Sequence, residues 1–340
     1  MERNFSRSKK LVLCNNKGGV GKSTLAFNLA CGLAAKGFRT VLVDLDPQCN
    51  LTLLALGEAY FDEDSVQPRN SIYQVLKPKI EGRGDIDLGV KPSKVRENLS
   101  IVPGDLNLTL FEDLLGDAIT NATAGQARGY SDTSAIDRYL NELGSTMLVD
   151  IFVIDTSPSL GALNRVILLG GEYFIVPLLP DSFSGQGGEN LGTGFERWKK
   201  HWRNTAGAAA VSGEIAASHV LRGDALFLGY IINNFNVYRQ KTVSRQAAWL
   251  EKIPQRVQTY LSNKHGRNGL VEISWKKPLG HIQDAGQLPA ICHSKHLAIS
   301  ELTRSDTTDL NLVGTQELHQ KLVAEMNSMV ERILERLAAY

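Results

Sequence analysis

One short glycine-rich segment constrains this chain more than any other feature. Residues 17–24 read Lys-Gly-Gly-Val-Gly-Lys-Ser-Thr, and they follow an apolar run at Leu11–Asn15 and open a helical pattern at Ser23–Lys36. A glycine-rich turn between a strand and a helix can point successive backbone N–H groups, and the positive end of the helix, at one place. Such a turn is typical of a phosphate-binding loop, although Asn16 stands where the ordinary loop has its first glycine.

Each position of this segment has an expected role. The glycines permit the tight turn, Lys22 reaches the β- and γ-phosphates of a nucleotide, and the Ser23 hydroxyl binds Mg²⁺. The length of the pattern and its position between strand and helix make an accidental turn a poor explanation. The predicted nucleotide-binding loop therefore comprises Lys17, Gly18, Gly19, Val20, Gly21, Lys22, Ser23 and Thr24.

Three aspartates follow apolar strands and are the candidate metal and catalytic carboxylates. Asp44 and Asp46 lie at the end of a strand at Thr40–Asp44, so both side chains are expected beside the phosphate loop. Asp44 is placed to hold Mg²⁺ through water, and Asp46 is placed to orient an attacking water. Asp155 ends the apolar strand 148–154 and would complete the outer coordination of Mg²⁺. Two aspartates that merely cap a turn are a weaker reading beside a phosphate loop.

The order of apolar runs and helical patterns predicts the fold class. Strands alternate with helices along most of the chain, which indicates an α/β, doubly wound, mostly parallel sheet with helices on both faces. We expect one domain over residues 1–340. The segment 58–98 is rich in Pro, Gly and acidic residues, and we expect an insertion or mobile loops there. The apolar positions of a long last helix, about Thr315–Ala339, favour packing in the core over binding at a membrane surface.

Composition narrows the class of protein. The four cysteines have no C-x-x-C pair, which argues against a disulfide framework, a zinc site or an iron–sulfur cluster. No segment approaches the roughly 18 apolar residues of a membrane span, and we expect a cytoplasmic protein without a stable membrane anchor. The net charge is +1, but Glu196–Lys277 holds 14 Lys and Arg against 5 Asp and Glu. A basic segment on a nearly neutral chain indicates a polyanionic partner.

The additional lysine at the start of the loop, Lys17, and the run V-D-L-D-P-Q ending at Gln48 carry a family resemblance. The chain resembles the ParA/Soj/MinD family of deviant Walker A ATPases, and most closely its ParA/Soj-type partition members. The resemblance covers about residues 11–301 and implies slow, partner-stimulated ATP hydrolysis with Mg²⁺. It also implies that Lys17 reaches the phosphates of a partner subunit, so that a homodimer forms when ATP is bound. Lys17, Lys22 and Asp46 are the expected catalytic residues.

The resemblance further implies binding to non-specific DNA, partition of a plasmid or chromosome, association with the nucleoid and a ParB-like stimulating partner. Asn233 is expected to contact the adenine base, although a turn asparagine that satisfies local backbone is an equal alternative. Trp198 and Trp202 are expected either to accompany the basic cluster 197–203 or to lie in the core. The candidate DNA-binding residues are Arg239, Lys241, Arg245, Lys252 and Arg256.

Three alternatives remain open at this point. The chain could be a MinD-like positioning ATPase acting on a membrane or protein scaffold, or an accessory ATPase of a mobile-element or defence operon. The third alternative is a metabolic or metal-cluster ATPase with the same loop, which the cysteine positions do not support.

Overall fold

The computed structural model describes residues 7–62, 70–212, 215–235, 237–238, 241–242, 244–267, 269–308 and 315–339. Eight of its strands form one sheet, and two more form a separate antiparallel pair. The strands are β1 (Lys9–Leu13), β2 (Thr40–Leu45), β3 (Ser93–Arg96), β4 (Leu99–Val102), β5 (Ile151–Thr156), β6 (Tyr173–Leu178), β7 (Leu226–Phe235), β8 (Val237–Tyr238), β9 (Lys241–Thr242) and β10 (Gly280–Gln283).

Helices connect most of these strands. They are α1 (Lys22–Ala35), α2 (Asn50–Leu56), α3 (Ile72–Ile80), α4 (Leu108–Thr123), α5 (Ala127–Thr133), α6 (Ala135–Thr146), α7 (Ala162–Gly170), α8 (Ser182–Ser212), α9 (Ser244–Val257), α10 (Asn263–His265), α11 (Leu270–Lys276), α12 (Leu288–Lys295), α13 (Arg304–Thr308) and α14 (Thr315–Ala338). A single π-helical turn, Gln258–Ser262, joins α9 to α10.

The eight-stranded sheet has the order β10-β7-β6-β1-β5-β2-β4-β3 and is parallel except for the edge strand β3. Its central strands are buried on both faces, because successive side chains enter two separate apolar layers. On β1, Val12 packs into one layer, and Leu11 and Leu13 pack into the other. Continuous apolar runs of this kind are what a covered parallel sheet requires. The predicted fold class is confirmed.

The register of the sheet determines where the polar strand ends meet. β5 lies between β1 and β2, with Asp155 opposite Leu13 on one side and Asp44 on the other. In a parallel sheet all carboxyl ends share one edge, here called the carboxyl edge, and the opposite edge is called the amino edge. The loop after β1 and the carboxylates after β2 and β5 are therefore neighbours.

The segment 58–98 differs from our expectation of an insertion or mobile loops. Its described part carries a short 3-10 helix, Glu58–Phe61, the helix α3 and the antiparallel strand β3. Ile72, Val75 and Leu76 of α3 are fully buried in the same apolar layer as Val12. Apolar spacing of i, i+3 and i+4 is sufficient to form a packed helix despite the nearby prolines and glycines.

The last helix, α14, packs into the core as expected. Leu322, Met326, Val330 and Leu334 are buried against the layer that contains α1. Within the described residues, no helix is long and apolar enough to cross a membrane.

Candidate nucleotide site

The glycine-rich loop has the backbone conformation that its sequence demands. Gly19 and Gly21 have φ values of 70° and 82°, in the left-handed region that favours glycine. A side chain at Gly21 would also collide with the amide of Asn233. The Nδ2 of Asn233 donates to the Val20 carbonyl at 2.9 Å, so the end of β7 supports the loop from behind. Gly21 therefore satisfies both a conformational and a packing constraint.

Asn15 fixes the entry to the loop. Its Oδ1 accepts a hydrogen bond from the backbone N–H of Lys17 at 3.0 Å, and its Nδ2 donates to the Pro177 carbonyl at 2.6 Å. The side chain is almost fully buried. It thus ties the first turn of the loop to the end of β6.

A cavity of about 350 Å³ opens over the loop. Its floor consists of residues 18–24 together with Asp46 and Gln48, as the sequence indicates. Its opposite wall comes from the last third of the chain, and sequence reasoning missed it. The wall residues from this part are Pro289, Cys292, His293 and Leu297. The lining is completed by Phe27, Asn28, Asn50, Leu54 and Pro158.

Lys22 carries the positive charge of the site. Its side chain is buried, and burial lowers the pKa of its ammonium group. The negative charges of Asp155 and Asp46 act in the opposite direction and favour the ammonium form. A lysine with few water contacts between two carboxylates is suited to bind phosphate oxygens, because its charge is weakly screened.

Asp155 is a fully buried carboxylate with an unused oxygen. Its Oδ1 accepts the backbone N–H of Thr156 at 3.1 Å, whereas Oδ2 is buried and has no hydrogen-bond partner among the described residues. Burial and then the neighbouring Asp44 raise the pKa of Asp155 to about 8, while the Ser23 hydroxyl and the Lys22 ammonium oppose the shift. The site is thus electrostatically incomplete, since a buried carboxylate favours a cation or a proton.

Asp44 lies opposite Asp155 on the neighbouring strand β2. Both of its oxygens are engaged, because Oδ1 accepts the N–H of Asp46 at 3.2 Å and Oδ2 accepts the N–H and hydroxyl of Thr52 at 2.8 and 2.6 Å. Burial raises the pKa of Asp44 to about 6, and the Thr52 hydrogen bonds lower it. Asp44 therefore acts on a cation at most through a water or through Asp155.

The residues present fit a Mg²⁺ ion. Ser23 and Asp155 supply hard oxygen donors next to the phosphate loop. Oδ2 of Asp155 has no hydrogen-bond partner among the described residues, although the charge of Lys22 acts on this carboxylate. The described residues contain no cluster of three or more His, Cys, Asp or Glu arranged as a metal cage. A Mg²⁺ here would need oxygens from nucleotide phosphates and water as well, which is how this ion is commonly held.

Asp46 faces the cavity and is nearly buried. Its Oδ1 accepts the backbone N–H of Gln48 at 3.0 Å, which fixes the carboxylate in the turn after β2. Asp46 thus lies beside the phosphate loop.

Lys17 points to its own chain. Its Nζ forms an ion pair with Oδ2 of Asp181 at 2.5 Å, just before α8 begins. Lys17 is therefore held by a residue of its own chain in this structure.

The basic segment is divided between the core and the surface. Trp198 and Trp202 are buried, and Trp202 Nε1 donates to the Leu221 carbonyl at 2.9 Å, so both belong to the core. Lys199 is buried as well, which excludes it as a simple surface contact. On α9, Lys252 is exposed and Arg256 is half-buried, and both stack near Trp249. Arg239 lies outside the described residues, as do the side chains of Lys241 and Arg245.

A parallel α/β sheet with a glycine-rich loop at its carboxyl edge and buried carboxylates beside it defines a P-loop nucleotide-binding protein. The chain matches the family described as "AAA domain" over residues 8–206, which is more than half of its length, and it belongs to that family. Together with the relatives below, this match confirms the resemblance to ParA/Soj-type P-loop ATPases.

Two curated relatives match about half of the chain. A virulence plasmid ParA family protein of Chlamydia psittaci, pGP5-D, is 33% identical over 177 residues, which is 52% of this chain and 59% of the relative. An uncharacterised protein of Methanocaldococcus jannaschii, MJECL24, is 31% identical over 174 residues, which is 51% of this chain and 60% of the relative. The chain thus spans about 60% of the length of these relatives.

Solved structures share the fold over nearly the whole chain. Protein DIP2308 of Corynebacterium diphtheriae has a TM-score of 0.73 at 23% identity, covering 97% of this chain and 98% of its own. An ATP complex of McdA from Cyanothece has a TM-score of 0.61 at 15% identity, covering 98% of both chains. A plasmid partition protein of Borrelia burgdorferi has a TM-score of 0.54 at 19% identity, covering 97% of this chain and all of its own.

Proposed function

We propose that the chain is a Mg²⁺-dependent ATPase that hydrolyses ATP to ADP and phosphate. The observation that carries this proposal is the cavity of about 350 Å³ over residues 18–24, which Lys22 and Asp46 line and beside which the negative charge of Asp155 acts on Lys22. ATP and Mg²⁺ are also bound by proteins of the same fold.

The residues of the site divide the work of phosphoryl transfer. Backbone N–H groups of the loop and the N-terminal end of α1 bind the phosphates, and Lys22 neutralises charge on the transferred group. Asp46, fixed by Gln48 N–H, orients the attacking water. A bound Mg²⁺ would supply further charge neutralisation, with Ser23 and Asp155 as its protein-side oxygens.

We propose further that two ATP-bound subunits associate through the carboxyl edge. Two leucines with large exposed fractions lie there, Leu106 at 67% after β4 and Leu160 at 37% after β5. Exposed apolar side chains around a charged cavity are typical of an interaction surface. Lys17 lies on the same edge and can turn to a partner's phosphates once it leaves Asp181.

The biological role we propose is ParA-like DNA partition, in which the ATP-bound dimer binds non-specific DNA and a ParB-like protein stimulates hydrolysis. This rests on the ParA relative and on exposed cations such as Lys252 of α9. A MinD-like role at a membrane surface has less support, because the apolar face of α14 is covered by the core.

Hydrolysis is tested by Asp46→Ala. We expect ATP binding to be retained while turnover falls by about 10²-fold or more, since the water loses its orienting carboxylate. Phosphate release and binding of a fluorescent ATP analogue are measured side by side. Glu58→Ala on the exposed 3-10 helix serves as control. Wild-type turnover in the Asp46 variant would contradict the assignment.

DNA binding is tested by filter retention of a random-sequence duplex with ATP, with ADP and at raised salt. We expect ATP-dependent retention that weakens with salt, because each phosphate contact releases counterions. Negligible retention in all three conditions would exclude the partition role and leave the ATPase proposal intact.

A further inference from the structure

A second cavity, here called the basic pocket, lies at the amino edge of the sheet, far from the phosphate loop along β7. It is formed by α8, by the turn before β7 and by the segment 264–267, and its volume is about 610 Å³. Leu226, the first residue of β7, contributes to it, whereas Asn233 near the other end of β7 supports the phosphate loop. The two cavities are thus at opposite ends of the same strand.

The charges that line the basic pocket are predominantly positive. Its two carboxylates have partners of their own, because Glu196 pairs with Lys264 at 2.7 Å and Asp224 pairs with Arg222 at 3.1 Å. Arg267 also lines the pocket and lies 4.0 Å from Asp224. The other three lining cations have no carboxylate within ion-pair distance among the described residues. They are Lys199, Lys200 and Arg203.

Lys199 is a buried lysine on the wall of the basic pocket. Its side chain is only 7% exposed, and its Nζ donates to the Ala225 carbonyl at 3.2 Å. An ammonium group has three donors, and the described residues accept one of them. Burial and the neighbouring Arg203 lower the pKa of Lys199 to about 8. The Lys199 ammonium also lies 5.2 Å from the centre of the Phe195 ring, and an anion in the pocket would supply an opposite charge close to it.

His265 lines the same cavity. Its Nε2 lies 2.9 Å from the Gly192 carbonyl, which can only accept, so Nε2 carries the hydrogen. The Nδ1 of this neutral ring is buried and has no partner among the described residues. Burial lowers the pKa of His265 to about 4, which keeps the ring neutral. The charge of the basic pocket therefore comes from its lysines and arginines, and the neutral ring of His265 adds none.

We propose that the basic pocket binds a small phosphorylated molecule. Lys199, Lys200 and Arg203 contact its phosphate. Lys199 is buried, whereas Lys200 and Arg203 are exposed, and convergent lysines and arginines bind phosphate through charge-assisted hydrogen bonds. A phosphate of a polynucleotide has the same chemistry, but a concave site with a buried lysine suits a compact ligand better than a rigid duplex.

The test is isothermal titration of the full chain with ribose 5-phosphate while the phosphate loop is saturated with a non-hydrolysable ATP analogue. We expect one site per chain. The double variant Lys200→Gln, Arg203→Gln should weaken binding by at least about tenfold through loss of charge-assisted hydrogen bonds. The matched control, Lys276→Gln with Lys277→Gln, removes two exposed cations outside the pocket and should bind as the wild type does.

Three outcomes would overturn the proposal. They are the absence of binding by the saturated wild type, an equal loss in both double variants, and displacement of ribose 5-phosphate by random duplex in a manner that depends on Lys200 and Arg203. The last result would assign the pocket to nucleic acid. Thermal unfolding of each variant shows whether a loss of binding reflects a loss of folding.

Discussion

At the scale of single residues, Lys199 has a testable effect on stability. The unfolded chain holds its proton up to a pKa of about 10.4, and the folded chain up to about 8. Below pH 8 the buried charge therefore destabilises the fold, and stability gained from losing the proton appears as pH rises from 8 towards 10. The charged groups that face Lys199 are Arg203, Arg267, Asp224 and Glu196.

We predict that Lys199→Met raises the free energy of unfolding at pH 7 by on the order of 1–3 kcal/mol. The advantage over the wild type should shrink between pH 8 and 9.5, because the wild-type lysine loses its charge there. Urea unfolding at four pH values measures both effects. Lys200→Met, at an exposed neighbouring position, should show neither. A constant difference across this pH range would contradict the argument.

A second residue-scale prediction concerns Asp155. Asp155→Asn keeps the size of the side chain and removes the charge that faces the Mg²⁺ position. We measure the ratio of ATP-analogue affinity with Mg²⁺ to the affinity without Mg²⁺. We expect this ratio to be about 10–100-fold smaller in Asp155→Asn than in the wild type. Titrations with Mg²⁺ and with EDTA provide this ratio. Asp117→Asn on the exposed face of α4 is the control, and an unchanged ratio in Asp155→Asn would remove this residue from the metal site.

Residues at strand ends could be predicted from sequence, and residues on helix faces could not. Asp44, Asp46 and Asp155 follow apolar strands, and a parallel sheet brings such positions together whatever the rest of the chain does. His293 and Cys292 of α12 line the cavity together with residues of α1. The local sequence does not predict that these two helices lie close together. The burial of Lys199 likewise depends on contacts with residues far along the chain.

At the scale of elements, the ion pair between Lys17 and Asp181 joins the phosphate loop to the start of α8. Under the proposed dimer, Lys17 must leave Asp181 before it can reach a partner's phosphates. We predict that Asp181→Asn increases ATP-dependent dimerisation by about two- to fivefold, the value of a partly exposed ion pair. Sedimentation with a non-hydrolysable ATP analogue measures this change.

Two further variants give this comparison its controls. Lys17→Ala removes both the pair and the trans contact, so it should weaken dimerisation, while Asp117→Asn should leave it unchanged. Weaker dimerisation of Asp181→Asn than of the wild type would mean that the ion pair with Asp181 holds Lys17 in the conformation that favours the dimer.

The elements themselves were predictable where one signal dominated. The strand predicted at Thr40–Asp44 begins at the predicted residue and ends one residue later, and the last helix ends one residue before its predicted end. The segment 58–98 was misjudged because Pro78 and the glycines after it suggested loops. The apolar triplet of α3 was the stronger signal, since burial of Ile72, Val75 and Leu76 against the sheet outweighs the local cost of a proline near a helix end.

At the scale of the whole molecule, the sheet separates two functions by its two edges. The carboxyl edge holds the nucleotide cavity and the exposed leucines, and the amino edge holds the basic pocket. Two leucines on opposite edges have similar exposure. Leu106 is 67% exposed on the carboxyl edge, and Leu148 is 60% exposed on the amino edge. This pair allows the proposed dimer surface to be tested with a matched control.

We predict that Leu106→Asp weakens ATP-dependent dimerisation by at least about tenfold, since burying a leucine contributes about 1.5–3 kcal/mol and a charge there must be desolvated. ATP-analogue affinity of the monomer should not change, because Leu106 does not line the nucleotide cavity. Leu148→Asp places the same charge before β5 and should dimerise as the wild type does. Sedimentation equilibrium of both variants with the analogue decides the matter: equal effects would place the interface elsewhere, and a defect in Leu148→Asp alone would move it to the amino edge.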